Sequence, residues 1–185
     1  MKAFPAFIDM VRARQSVRAY KTDALNQESI GRCLEAARLA PSACNAQPWK
    51  FIVVDQPDLK NALADAMQDK LLPMNHFTKQ APVHVVIVRE SANLTSNLGR
   101  VIKNKEYPLM DIGIAVEHFC LQAVEEGLGT CIIGWFNEKK VKKLLGIPSG
   151  KRAELIITLG VPATDEVREK RRKTLEEMTS YNSYR

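Results

Sequence analysis

The run from Asp111 to Glu126 constrains the fold more than any other stretch of this chain. Apolar side chains occupy Ile112, Ile114, Ala115, Val116, Phe119, Cys120, Leu121, Ala123 and Val124, more than the single stripe that a surface helix carries at its 3.6-residue period. A helix of this composition has to be covered on more than one side. It therefore crosses the core or lines a subunit interface, and we read an interface, because Gly113 and Ala115 let another backbone come close. Gly127-Leu128-Gly129 ends it.

The pattern on either side of this helix predicts alternating helices and strands. Residues 6–14 and 27–40 read as helices, the second with Ile30, Leu34 and Ala37 on one face and Asn26 as its N-cap. Leu25 and Ile30 have the spacing of a hydrophobic staple, and Pro41 stops the helix. Residues 49–54 read as a buried strand, 57–68 as a helix with proline in its first turn, and 83–88 as a second buried strand. Residues 69–82 and 91–106 read as loops, the second able to cover a site. A short strand over 130–134, a helix from the cap Asn137 to Leu145 with Gly146 and Pro148 as stop signals, and a strand over 153–159 complete the pattern. Residues 164–185 are charged and lack a core-facing stripe, so they are expected to lie along another surface, that of a partner subunit.

With 185 residues, of which 45% are hydrophobic, the chain is read as one domain over residues 1–185. No apolar run approaches the roughly 18 residues of a membrane span, and Met1-Lys2-Ala3-Phe4-Pro5 leads directly into an amphipathic segment, so the expected address is the cytoplasm and no membrane partner is expected. The net charge of +6 invites comparison with nucleic-acid binders. The cations, however, fall in short groups such as Lys139-Lys140 and Lys142-Lys143 among many acids, so they read as solvated helix faces and no nucleic-acid partner is expected. Cys33, Cys44, Cys120 and Cys131 show no CxxC spacing and lack histidine partners, so packing roles are expected and no metal site. His76, His84 and His118 are isolated, and packing roles are expected of His84 in its strand and His118 on the long helix. No GxGxxG, GxxxxGK[ST], HExxH or GxSxG is present to hold a nucleotide or supply a hydrolytic nucleophile.

Arg14, Ser16 and Arg18 stand at spacings of two in Arg14-Gln15-Ser16-Val17-Arg18-Ala19-Tyr20. In an extended segment all three point to one side. Two guanidinium forks flanking a hydroxyl suit a phosphate or an electron-rich ring edge; solvated arginines beyond a first helix are the other reading. Pro41-Ser42-Ala43-Cys44-Asn45-Ala46-Gln47-Pro48-Trp49 follows, an amide-rich turn. An anion clamp, amide-rich turns, glycine ends and no protein nucleophile together suggest that the reactive atoms belong to a cofactor.

These motifs, taken in order with Asp111-Ile112-Gly113, Glu126-Gly127-Leu128-Gly129, Ile133-Gly134, Ile156 to Pro162 and Lys170-Arg171-Arg172-Lys173, resemble those of the FMN-dependent nitroreductases. The resemblance implies an α+β fold, a three-layer α/β/α sandwich around a mostly antiparallel sheet, in an intertwined homodimer with FMN at each interface. By motif position, Arg14 and Ser16 would hold the ribityl phosphate and Arg18 would approach the pyrimidine edge of the flavin. Lys170 and Arg172 would return to the phosphate, a one-residue slip exchanging Lys170 for Arg171. Pro41, Ser42, Ala43 and Asn45 would reach the flavin from the other subunit, and Ile133 with Gly134 would offer backbone amides near its ring. The implied activity is electron transfer from NADH or NADPH through FMN to a nitroaromatic, quinone or similar small acceptor, in ping-pong order. Two alternatives stand beside it: a flavin carrier or redox sensor without nicotinamide turnover, and a basic structural domain.

Overall fold

The segment Val83–Arg89 reads Val-His-Val-Val-Ile-Val-Arg and is buried at every position but its last, as expected of a strand with a neighbour on each edge and a layer on each face. The computed structural model describes residues 6–68, 74–91 and 105–184. In chain order its elements are α1 (Phe7–Ala13), α2 (Gln27–Arg38), β1 (Trp49–Val54), α3 (Pro57–Met67), β2 (Val83–Arg89), α4 (Tyr107–Glu125), β3 (Gly129–Ile133), α5 (Glu138–Leu145), β4 (Arg152–Gly160) and α6 (Leu175–Met178).

The strands form an antiparallel sheet in the order β1-β2-β4-β3. Register is fixed by alternation. On β2, Val83, Val85 and Ile87 face one side and pack with Ile30, Cys33, Ile112, Val116, Phe119 and Cys120 of α2 and α4. Val86 and Val88 face the other and pack with Leu63, Met67 and Val141 of α3 and α5. A one-residue slip would exchange the two sets. The result is the expected α/β/α arrangement, with the sheet between two helical layers.

Local chemistry explains most boundaries. The Asn26 side chain accepts from the Glu28 N–H, and the Asn137 side chain from the Lys140 N–H, so both predicted caps form. Gly146 ends α5 at φ 63°, the left-handed conformation that favours glycine. The sequence places the start of the central helix at Asp111, but α4 begins at Tyr107: Pro108 sits in the first turn, where a missing N–H costs nothing. The predicted loop over 69–82 contains a 3-10 turn, His76–Gln80; its residues 69–73, and 92–104 of the second predicted loop, lie outside the described residues. Helix α6 was not predicted, and it rests on a capping box between Thr174 and Glu177.

Helix α4 buries Ile112, Ala115, Val116, Phe119, Cys120 and Ala123 against its own chain. Its second apolar face, Leu109, Met110 and Ile114, is exposed, as are Phe7 and Ile8 of α1, at 67% and 51%. His84 is fully buried and His118 half-buried, its Nδ1 3.3 Å from the Ala36 carbonyl, so both serve packing. Cys33, Cys120 and Cys131 are buried as expected; Cys44 instead lies exposed in a turn. Among the described residues no helix is long and apolar enough to cross a membrane.

Candidate functional site

Helix α1 ends at Arg14, whose φ/ψ of −60°/121° turns the chain into an extended segment. That segment docks on the free edge of β3. The Val17 N–H donates to the Thr130 carbonyl at 2.8 Å, and Ser16 pairs with Thr130 as a parallel bridge. The approach is close enough that a Cβ on Gly129 would lie 2.6 Å from Val17 Cγ2, so only glycine serves at 129 without displacing the segment.

Tyr20 fastens the other end. Its hydroxyl donates to the Val17 carbonyl at 2.8 Å and shares a 2.7 Å hydrogen bond with the Thr158 hydroxyl on β4. Burial pushes the phenol well above its ordinary range, which keeps the donor protonated. Arg14, Ser16 and Arg18 are thus held on a rigid edge, and all three line one cleft of about 300 Å3.

The far end of the chain returns to the same cleft. The Gln15 side-chain amide donates to the Glu166 carbonyl at 2.7 Å and accepts from the Arg168 N–H at 3.2 Å. The Arg168 guanidinium donates to the Ser16 carbonyl. Lys170 Nζ donates to the carbonyls of Val11 at 2.7 Å and Arg12, the last turn of α1, where a cation also complements the helix dipole. Arg168, Lys170, Arg171 and Arg172 all line the cleft, which holds Glu169 as its own carboxylate; Glu117 stands at 3.7 Å from Arg14 just outside it. Residues 166–170 therefore lie on their own chain.

Electrostatically the cleft is unbalanced. Lys170 is pulled below the ordinary lysine range by burial first and then by Arg14 and Arg172, with Glu117 opposing. Cations crowded about one cleft favour a multivalent anion between them.

The other predicted site residues stand elsewhere in the chain. Pro41, Ser42, Ala43 and Asn45 form a tight turn in which Cys44, Asn45 and Gln47 all have positive φ, 52°, 50° and 45°. Such conformations cost non-glycine residues of order 1 kcal/mol or more each and need support. The support is local: the Gln47 N–H donates to Ser42 Oγ, the Ala43 N–H donates to Asp111 Oδ1 at 3.1 Å. Asp111 is only 5% exposed, and its second oxygen has no partner among the described residues. At the end of β3, the Ile133 side chain is buried among α3 and α5 while Gly134 is exposed, so this corner offers backbone. Neither the turn nor this corner lines the basic cleft within one chain.

Sequence reasoning missed Gln15, Tyr20 and Arg168. For Arg168 the signal was present, since Arg168, Lys170 and Arg172 repeat the spacing of two seen in Arg14, Ser16 and Arg18. For Gln15 and Tyr20 there was none, because the partners that tie them to the rest of the fold, Glu166 and Thr158, are more than a hundred residues away.

Comparison with known proteins agrees with this architecture. The Nitroreductase family model matches residues 11–161. A putative NADH dehydrogenase/NAD(P)H nitroreductase from Archaeoglobus fulgidus is 29% identical, over 86% of this chain and 87% of that one. A solved nitroreductase family protein from Clostridium novyi superposes with a TM-score of 0.75 at 32% identity, covering 89% of each chain. An FMN-dependent nitroreductase from Clostridium difficile superposes with a TM-score of 0.78 at 26% identity, over 96% of this chain and 99% of that one.

Proposed function

The chain belongs to the nitroreductase family and is an oxidoreductase of that type, and we propose that it binds FMN and passes electrons from NADH or NADPH to a nitroaromatic, quinone or similar small acceptor. The observation that carries this reading is the convergence of Arg14, Ser16 and Arg18 with Lys170 and Arg172 on one cleft. The donor set fits a phosphate monoester: it carries an excess of positive charge, planar guanidinium forks and a hydroxyl.

When bound, the flavin would supply the two-electron chemistry, serving donor and acceptor in turn in a ping-pong cycle. The protein's part is to hold and to bias. Arg14 and Ser16 grip the phosphate from the β3 edge, and Lys170 and Arg172 close over it from the C-terminal segment. Arg171 lines the same cleft, while two donors of Lys170 already serve α1, so Arg171 takes part of the phosphate load. Arg18 stands one step further along the edge. A fixed positive charge at the electron-rich side of the flavin favours its reduced form.

The remaining contacts come from a second copy of the chain. The turn of Pro41, Ser42, Ala43 and Asn45 is built and supported but does not line the cleft of its own chain, and the bare apolar face of Phe7, Ile8, Leu109, Met110 and Ile114 is what a homodimer would cover. In that assembly the turn reaches the partner's flavin, Ile133 and Gly134 present backbone at its ring, and the exposed Leu175, Met178, Tyr181 and Tyr184 pack on the partner.

An absorbance spectrum of the purified protein, followed by anaerobic addition of NADH or NADPH, tests the reading. A yellow protein that bleaches with nicotinamide and recovers its colour with a quinone or nitroaromatic is the expected result. A flavin reduced by dithionite but by neither nicotinamide indicates a carrier or sensor, and a protein colourless after incubation with excess FMN removes the flavin altogether.

A further inference from the structure

A second cleft, of about 410 Å3, opens beside the N-termini of α2 and α3 and shares no lining residue with the basic one. Leu25, Ile30, Pro57 and Pro82 give it apolar walls, and Lys60 lines it. That volume lies in the range of small-molecule sites.

The charged groups of this cleft differ in one respect. Asp55 accepts from Gln27 Nε2 at 3.0 Å, and Lys79 pairs with Asp65 at 2.7 Å. Lys60, unlike the exposed Asp55, is buried without an ionic partner: it is only 9% exposed, its Nζ donates to the Lys79 carbonyl at 2.7 Å, and no carboxylate among the described residues pairs with it. An ammonium has three N–H donors, and a buried charge without a counter-ion is costly. Burial, then the charge of Lys79, pulls Lys60 below the ordinary lysine range. What would complete this arrangement is a negative head small enough to reach Lys60, attached to a body that prefers the apolar walls to water.

We propose that this cleft binds a small amphipathic carboxylic acid, its carboxylate on the Lys60 ammonium and its hydrocarbon against Leu25, Ile30, Pro57 and Pro82. The apolar walls favour a monocarboxylate over a free phosphate, which would have to be stripped of water on every side. The site is independent of the flavin reading, because it uses none of the residues assigned to the phosphate.

Calorimetric titration of the purified protein with octanoate tests the proposal. Saturable binding at one octanoate per chain is expected, with acetate, 1-octanol and inorganic phosphate each at least tenfold weaker. Lys60→Gln should weaken octanoate at least tenfold. Ala24→Phe, a substitution on the exposed rim, should do the same by filling the mouth without entering the core, and it decides the matter if Lys60→Gln fails to fold. Arg14→Ala should leave octanoate binding unchanged. The proposal is overturned if octanoate does not saturate, if 1-octanol binds as well, if both cleft variants bind like the wild type, or if binding is lost in Arg14→Ala instead.

Discussion

Gln15 and Arg168 are joined twice: the Gln15 side-chain oxygen accepts from the Arg168 backbone N–H and from its Nε, each at 3.2 Å. With Gln15 Nε2 donating to the Glu166 carbonyl, the side chain bonds two residues of the returning segment as a neighbouring strand would. This bridge sets where Lys170 to Arg172 fall. Gln15→Ala should therefore loosen the C-terminal segment and raise the Kd for FMN about three- to tenfold, since a typical hydrogen bond contributes roughly 0.5–1.5 kcal/mol. Equilibrium dialysis of FMN measures it, and an unchanged Kd would free the segment from this dependence.

Arg14 and Arg18 should separate into two roles. Removing a charge-assisted phosphate contact costs on the order of 1.5–3 kcal/mol, so Arg14→Ala should weaken FMN retention by roughly ten- to a hundredfold. Arg18→Ala should keep much of the binding but lower the flavin midpoint potential, read by spectroelectrochemistry. An unshifted potential would remove Arg18 from that role.

Tyr20→Phe should destabilise the fold. The change deletes the hydroxyl that joins Val17 to Thr158 and leaves buried partners unsatisfied, a loss of about 1–3 kcal/mol. For a chain of this size each kcal/mol corresponds to about 2–4 °C in Tm, which differential scanning calorimetry resolves. FMN affinity should fall as well, because Val17 is held by that hydroxyl and the edge that presents Ser16 loses its anchor.

Stability should rise with pH between about 4 and 6.5 on account of His84. Burial holds its pKa down to about 4, with the Lys60 ammonium adding to the effect and the Thr78 carbonyl, 2.9 Å from Nε2, opposing it. In this window the unfolded chain binds the proton that the folded one refuses, so the folded state gains on the order of 3 kcal/mol as pH rises through it and nothing further above it. Below about pH 4.5 Glu126, which Arg32 holds down to about 2, steepens the acid loss. Urea midpoints across this range should show the climb in the wild type and its absence between pH 5 and 6.5 in His84→Phe.

Much of the fold was legible because it is written locally. The caps Asn26 and Asn137, Gly146 after α5, the proline opening α3 and the short apolar runs of β1 and β2 each act within a few residues, and the structure places their elements within a residue or two of the reading. Where the reading slipped, as at the start of α4, a locally permitted proline had been passed over.

The sequence by itself determined which residues could form an anion clamp, because residue type and a spacing of two are properties of the chain alone. Only the tertiary structure decided how the two basic segments meet in one cleft. That outcome depends on Gly129 admitting Val17, on Tyr20 reaching Thr158, and on Gln15 capturing Glu166 and Arg168, contacts between residues that no local pattern relates. They form because chain closure over such separations is repaid only when the whole sheet and both helical layers are in place.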